Sequence, residues 1–348
     1  MISKHQRISY LWSRSNRYVC RKKILDYQNL SPDEILNAVE GEGYQCDGRL
    51  LALNSYENRV YQIGIEEDKP IIVKFYRPER WNDSAIMEEH EFAWELAESE
   101  IPVVAPIKNE KGDSLRRHKL YRFALFPNQG GRAPNLENSS HLEKLGRYLG
   151  RIHSVGKSKI FRYRPTLTAE SFGQKSCEFL LKNKFIPKDI ETAYQSLTDD
   201  LIQRIAWCYE RAGDSSTLRL HGDCHPGNIL WTDDGPHFVD LDDSRNGPAI
   251  QDLWMLLSGE RIDQIKSLNA LLNGYTEFFE FDPRQLHLIE ALRTLRMLHY
   301  YAWIAKRWTD PAFPRAYPWF NTQRCWEEHI LHLREQVSLM DEEPLSLR

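Results

Sequence analysis

The sequence predicts an α+β chain of two unequal parts, a small antiparallel sheet followed by a larger, mostly helical region. Three observations carry this expectation. Short apolar segments separated by turn residues fill residues 50–76, and helical spacing dominates from residue 140 onward. Within the helical part, residues 219–243 break the pattern with a short hairpin whose loops are rich in Asp, His and Asn.

Each element has its own signal. Ser31-Pro32-Asp33-Glu34 spells a helix start: Ser31 can cap, Pro32 suits the first helical position, and the acids favour the positive end of the dipole. Residues 50–53, 60–65 and 71–76 then predict an antiparallel meander. Ile86, Ala93, Leu96 and Ala97 recur at helical spacing within 83–99, giving a helix with one apolar face for that meander. Two more strands are expected at 103–107 and 119–126, the second stopped by Pro127-Asn128-Gln129-Gly130-Gly131. A lobe boundary belongs there, dividing a lobe at 28–126 from one at 127–348. Leu142, Leu145, Leu149 and Ile152 mark one helix of the second lobe, and further periodic segments cover 189–211, 249–257 and 284–308.

Composition excludes several classes of function. A chain of 348 residues, 41% hydrophobic and 28% charged, can bury a substantial core. No apolar run is long enough to span a bilayer and no signal peptide is evident, so a cytoplasmic protein with no membrane partner is expected. A net charge of -4 with mixed signs argues against a nucleic-acid partner. Six cysteines without a C-x-x-C pair suggest reduced thiols, and a monomer is expected. Residues 1–27 stand apart, with seven Lys and Arg residues before Ile24, and read as a basic, disordered leader.

The chemistry is written between 219 and 243. In His221-Gly222-Asp223-Cys224-His225-Pro226-Gly227-Asn228, Asn228 follows Asp223 by five residues, behind an apolar strand, which is the spacing of a kinase catalytic loop. Phosphoryl transfer needs a carboxylate to orient and deprotonate the acceptor hydroxyl, and oxygen ligands for a hard, octahedral Mg2+. Asp223 suits the first task and Asn228 the second. Phe238-Val239-Asp240-Leu241 ends the hairpin in an acid that returns beside Asn228, so Asp240 is expected as a second metal ligand and a member of the catalytic set. Upstream, Lys74 sits in the apolar strand Ile71-Ile72-Val73-Lys74-Phe75, where a bare ammonium is expensive unless an anion meets it. Nucleotide phosphate would be that anion. Glu89 intrudes on the inward face of the next helix and is expected to pair with Lys74, with Glu88 as the competing choice. Phe126 ends the strand at which a kinase hinge would meet adenine.

These residues resemble the aminoglycoside phosphotransferase and choline kinase superfamily, and within it the bacterial stress response kinase A family. The resemblance covers about residues 30–335. It includes Leu53-Asn54-Ser55-Tyr56-Glu57-Asn58-Arg59-Val60-Tyr61, Val73-Lys74-Phe75-Tyr76-Arg77-Pro78-Glu79-Arg80-Trp81, the catalytic segment and Asp310-Pro311-Ala312-Phe313-Pro314. It implies a bilobal protein-kinase-like fold, with Asp223 as proton acceptor, Asn228 and Asp240 on Mg2+, and Ser55 in the loop that covers ATP. It also implies transfer of the γ-phosphoryl group to a Ser/Thr hydroxyl of a protein substrate, in a stress response. The sequence departs from eukaryotic protein kinases: residues 54–61 contain no glycine, Leu241-Asp242 replaces Phe-Gly, and no Ala-Pro-Glu follows. Asp252 looks like the buried acid that orders the catalytic-loop backbone.

Other readings compete at single motifs. Asp240-Leu241-Asp242 alone resembles an aspartyl-phosphatase nucleophile strand, although it follows the kinase-like loop instead of opening an α/β fold. His221, Asp223 and His225 could be transition-metal ligands, against a structural role for His221 and a solvated one for His225. Small-molecule alcohols, amino alcohols or sugars, are the alternative acceptors, and a nucleotide-binding pseudokinase is the non-enzymatic alternative.

Overall fold

The computed structural model describes residues 27–214 and 216–347. These form two compact units, one running to Met87 and including Ala105–Asn128, the other made of Glu88–Val104 and the chain from Gln129 on. The basic leader lies outside the described residues except for its last residue, Tyr27. That residue is buried, stacks on Tyr121 and donates its hydroxyl to the Phe75 carbonyl at 3.1 Å. Tyr27 therefore packs with the first unit, one residue before the boundary expected at 28.

The first unit opens on helix α1 (Pro32–Glu40), capped as expected by the Ser31 hydroxyl, which accepts the Glu34 N–H at 3.3 Å. Its Ile35, Ala38 and Val39 are buried on a five-stranded antiparallel sheet, β1 (Cys46–Ala52), β2 (Arg59–Ile65), β3 (Ile71–Phe75), β4 (Arg116–His118) and β5 (Tyr121–Pro127), in the order β1-β2-β3-β5-β4. In the central strand β3, Ile71, Val73 and Phe75 enter the core that α1 covers, with Ile63, Phe123 and Leu125 from its neighbours. Strand alternation turns Lys74 to the opposite face, where Tyr76, Ala124 and Ile86 form a second cluster. Ile86 opens helix α2 (Asp83–Glu98), close to the span expected.

Two expectations for this region need correction. Residues 103–107 form no strand: Val103 makes one isolated bridge to Phe238, whereas the Ile107 N–H goes to Leu125. Pro102 precedes the segment and Pro106 lies within it, and residues without an N–H cannot sustain a ladder. The strand expected at 119–126 is the second arm of a hairpin. Lys119 sits in its turn at φ 54°, with Arg116–His118 as the other arm.

The second unit is mainly helical. Helix α3 (Ser139–Gly156) starts at Asn138, whose side chain accepts the Ser140 N–H, and buries Leu142, Leu145, Leu149 and Ile152. It is followed by α4 (Lys175–Lys182), α5 (Lys188–Ala212), α6 (Ile250–Trp254), α7 (Arg261–Tyr275), α8 (Ile289–Lys306), α9 (Ala312–Ala316) and α10 (Gln323–Asp341). The expectation missed α4, α7, α9 and α10. Helices α3 and α7 approach so closely that a Cβ on Gly146 would lie 1.9 Å from the Leu271 carbonyl oxygen, so only glycine fits there. Between α5 and α6 run β6 (Thr217–Leu220), the hairpin β7 (Ile229–Trp231) and β8 (Pro236–Phe238), and β9 (Arg245–Pro248), which pairs antiparallel with β6. The hairpin falls where the sequence places it. Among the described residues no helix is long and apolar enough to cross a membrane, and the five cysteines there are free thiols.

Candidate active site

The loop after β6 is fixed from beneath by one carboxylate. Asp252, wholly buried on α6, accepts the N–H of His221 and the N–H of Gly222 on its two oxygens, both at 2.8 Å. His153 of α3 donates from Nε2 to the same carboxylate at 3.2 Å, and its Nδ1 accepts the Tyr275 hydroxyl at 2.7 Å. Burial alone would push the Asp252 carboxyl up. The His153 hydrogen bond, the electrostatic pull of the His153 and His221 imidazoles and the Gly222 N–H outweigh it and hold Asp252 below the ordinary carboxylate range. Asp252 is therefore the ordering acid that the resemblance implied. His221 donates from Nε2 to the Val239 carbonyl at 3.0 Å, and its Nδ1 faces the Asp223 N–H at 3.4 Å. That uses both ring nitrogens in hydrogen bonds, which is the structural role.

Gly222 lies at φ +84°, and a Cβ there would meet the Asp243 carbonyl oxygen at 2.3 Å. Glycine is required for the left-handed turn and for the close approach. Just beyond it, Asp223 is half-buried, with one oxygen on the Arg296 guanidinium of α8. Its other oxygen lies 3.5 Å from Asn228 Nδ2 and 3.5 Å from His225 Nε2. His225 also accepts the Gly227 N–H on Nδ1 at 3.0 Å, capping the single turn Pro226–Asn228, so it is more than a solvated loop residue. Burial, its largest influence, pulls the His225 pKa down, against the pull of the Asp223 charge.

The hairpin brings the third residue back. Ile229 pairs with Phe238, and the Val239 N–H reaches the Asn228 carbonyl at 3.1 Å, so Asp240 follows directly beside Asn228. Asp240 is exposed and left-handed at φ 58°, ψ 61°, a conformation that costs a non-glycine residue about 1 kcal/mol and gathers at functional sites. Asn228 donates Nδ2 to the Asp223 carbonyl at 3.0 Å, which turns its amide oxygen the other way. An amide oxygen and an exposed carboxylate side by side fit a hard divalent cation completed by phosphate oxygens and water. Among the described residues no group of three or more His, Cys, Asp and Glu could hold a metal ion, which sets aside the transition-metal reading of His221, Asp223 and His225.

Glu88 and Glu89 have distinct surroundings within the second unit. The Glu88 carboxylate accepts three consecutive N–H groups, from Arg162, Tyr163 and Arg164, at 2.6, 2.8 and 3.0 Å. Glu89 is buried, with Arg164 Nη1 3.5 Å from its Oε2. The same guanidinium donates to the carbonyls of Asp242 and Ser244, tying α2 to the segment after Asp240. Arg164 was missed in the sequence because it belongs to no motif. In the first unit, Lys74 is 5% exposed, with Nζ 5.1 Å from the Tyr76 ring centre and 6.0 Å from that of Phe126. Ser55 is half-buried in the β1–β2 connection. Arg77 braces that connection, donating Nε to the Glu57 carbonyl at 2.8 Å and Nη2 to the Tyr56 carbonyl at 3.1 Å.

A carboxylate beside an amide oxygen and a second carboxylate, on one loop and hairpin, is an arrangement that phosphoryl transfer can use. Comparison with known proteins agrees. Residues 49–289 match the model of the phosphotransferase enzyme family. Stress response kinase A of Escherichia coli K12 is 44% identical over 321 residues, 92% of this chain and 97% of that protein. The serine/threonine protein kinase RdoA of Salmonella typhimurium matches to the same extent, 44% over 321 residues and the same shares of both chains. The chain belongs to the phosphotransferase enzyme family, and it is an ATP-dependent kinase. Among solved structures it is similar to the amicoumacin kinase hAmiN bound to AMP-PNP, Ca2+ and Ami, with TM-score 0.67 and 18% identity over 95% of this chain and 94% of that one. A microcompartment-associated aminopropanol kinase follows at TM-score 0.63 and 16% identity, over 87% and 96%. These likenesses establish the kinase-like fold.

Proposed function

We propose that the chain is a Mg2+-dependent Ser/Thr protein kinase of a bacterial stress response, working in the cytoplasm as a monomer. The observation that supports this most is the grouping of Asp223, Asn228 and Asp240 at the end of one loop and one hairpin. The protein acceptor and the stress setting rest on the stress response kinase A relatives.

In this reading Asp223 accepts the hydrogen bond of the acceptor hydroxyl, aims its oxygen for in-line attack and takes its proton. Asn228 and Asp240 hold Mg2+, which would neutralise phosphate charge when bound. Lys74 is assigned to the nucleotide phosphates, Ser55 to the loop over the nucleotide and Phe126 to the adenine end. Glu89 supports the same nucleotide set from α2, held at its Arg164 neighbour. The buried network under Asp252 keeps the Asp223 backbone in place, so little reorganisation is needed at the moment of transfer.

Incubation of the purified chain with γ-labelled ATP and Mg2+, alone and with bacterial lysate, tests the reading. Label on Ser or Thr, lost in Asp223→Asn, is expected. Label found only on small alcohols would overturn the protein acceptor, and no ATP turnover under any condition would overturn the Mg2+ and base assignments together.

A further inference from the structure

Arg296 stands outside every motif used above. From α8 its Nη1 meets the Oδ1 of Asp223, yet its side chain remains 44% exposed, against 21% for Asp223. A guanidinium on the carboxylate that receives the acceptor hydroxyl places a permanent positive charge in the acceptor subsite itself. Three other carboxylates of this unit have partners of their own. Asp243 is paired with Arg245 at 2.6 Å, Glu290 lies 3.1 Å from Arg293, and Asp252 is buried under the loop.

We propose that Arg296 sets acceptor specificity: it binds an anionic group, carboxylate or phosphate, next to the acceptor hydroxyl, and excludes acceptors with a cationic group there. The inference rests on the reading of Asp223 as the base. Acceptor binding is an exchange of partners. A hydroxyl approaching Asp223 competes with Arg296 for the carboxylate. An acceptor that brings its own anion gives the guanidinium a replacement charge-assisted hydrogen bond, so Asp223 is released without stranding a charge. A neutral acceptor offers no replacement, and a cationic one adds like-charge repulsion. Amino alcohols and aminoglycoside-type acceptors are thereby disfavoured, and a Ser or Thr flanked by Asp, Glu or a phosphorylated residue is favoured.

The test uses the full chain with Mg2+-ATP and synthetic peptides carrying one Ser in a neutral frame, with Asp, phosphoserine, Ala or Lys scanned through the flanking positions. Ethanolamine and glycerate serve as small alcohols of opposite charge. At one flanking position the wild type is expected to favour Asp or phosphoserine over Lys by about tenfold in kcat/KM, the size of one charge-assisted contact. Asp against phosphoserine at that position shows which anion is the better ligand. Arg296→Ala should flatten the ratio, Arg296→Lys should keep its direction, and Arg296→Glu should reverse it; melting curves of the three verify folding. A purely structural role would not reverse a preference. Wild-type turnover with anionic acceptors no greater than with neutral or cationic ones, absent turnover included, overturns the proposal, as does an anionic preference that survives Arg296→Ala. Should glycerate be preferred over ethanolamine in an Arg296-dependent way while every peptide fails, the protein-acceptor reading falls and the role of Arg296 stands.

Discussion

The root and the tip of the loop after β6 are built on opposite plans. At the root, His221 and Gly222 are bound through backbone N–H groups to a wholly buried Asp252, which His153 and Tyr275 secure from behind. At the tip, Asp223 is held through its side chain by half-exposed partners, Arg296 and His225, and by an Asn228 contact at the limit of hydrogen-bonding distance. Buried backbone bonds fix position and exchange with nothing. Exposed side-chain bonds are individually weak and can be traded for substrate. With Asp223 as the proposed base, the loop divides precision from reactivity over three residues, and substitutions on the two sides should separate loss of folding from loss of turnover.

The sharpest break is expected at the tip. Asp223→Asn should lower kcat by about 10^2–10^4, the usual contribution of a general base, while the melting temperature stays near that of the parent. Titration calorimetry with a non-hydrolysable ATP analogue should show nucleotide affinity within a few-fold of the parent. Asp240→Asn, in contrast, should weaken Mg2+-dependent nucleotide binding along with turnover. Equal loss of affinity in both variants would sink the division of roles.

The root should answer in stability. Asp252→Ala leaves His153 and two loop N–H groups without their buried acceptor, which is expected to cost about 3–5 kcal/mol in denaturant unfolding. The pH dependence follows from the depressed Asp252 pKa in the folded chain. The unfolded chain binds this proton more readily, so the carboxylate's contribution is fully present above the ordinary value of about 3.9 and fades as pH falls through it towards the folded value. Asp252→Asn should flatten that acid limb. An unchanged limb would mean that the network does not carry the charge assigned to it.

What could be read in the sequence follows the same division. That Asp223, Asn228 and Asp240 would become neighbours could be read from their spacing along a loop and a hairpin, because spacing survives in one dimension. Asp252 was legible only through resemblance. Arg164 and Arg296 were not, since each reaches its partner through folding, Arg164 to the Asp242 carbonyl and Arg296 to Asp223, 73 residues away. Among elements, β1 to β3 announced themselves by alternation. Residues 103–107 misled because an apolar run says nothing of where its N–H groups go, and Pro102 and Pro106 had to be weighed against it. Helix α7 was hidden because Gly274, a poor helix former, is kept there by contact with the Glu143 carbonyl on α3, where a Cβ would lie 2.0 Å away.

Gly222→Ala probes the junction of root and tip. The added Cβ meets the Asp243 carbonyl in a left-handed backbone, so a cost of about 1–3 kcal/mol is expected, together with a fall in kcat because the strain displaces the neighbouring Asp223. Nucleotide affinity should fall less than kcat. If stability drops while kcat does not, the junction holds the loop but not the base.

The smallest effect separates the two functions of His225. Its Nδ1 caps the turn Pro226–Asn228 through the Gly227 N–H, and its Nε2 lies near Asp223. Loss of a cap in a half-exposed position costs about 0.5–1 kcal/mol, and a 3.5 Å contact with Asp223 is too long for a strong hydrogen bond. His225→Ala should therefore lower stability by about that amount and kcat by only a few-fold, through looser placement of Asn228. His225→Asn offers a capping oxygen without an imidazole near the carboxylate, so it should restore both quantities if the cap is what matters. Recovery of stability without recovery of kcat would instead give the imidazole a role at Asp223, and the tip would then hold two groups on the base besides Asn228.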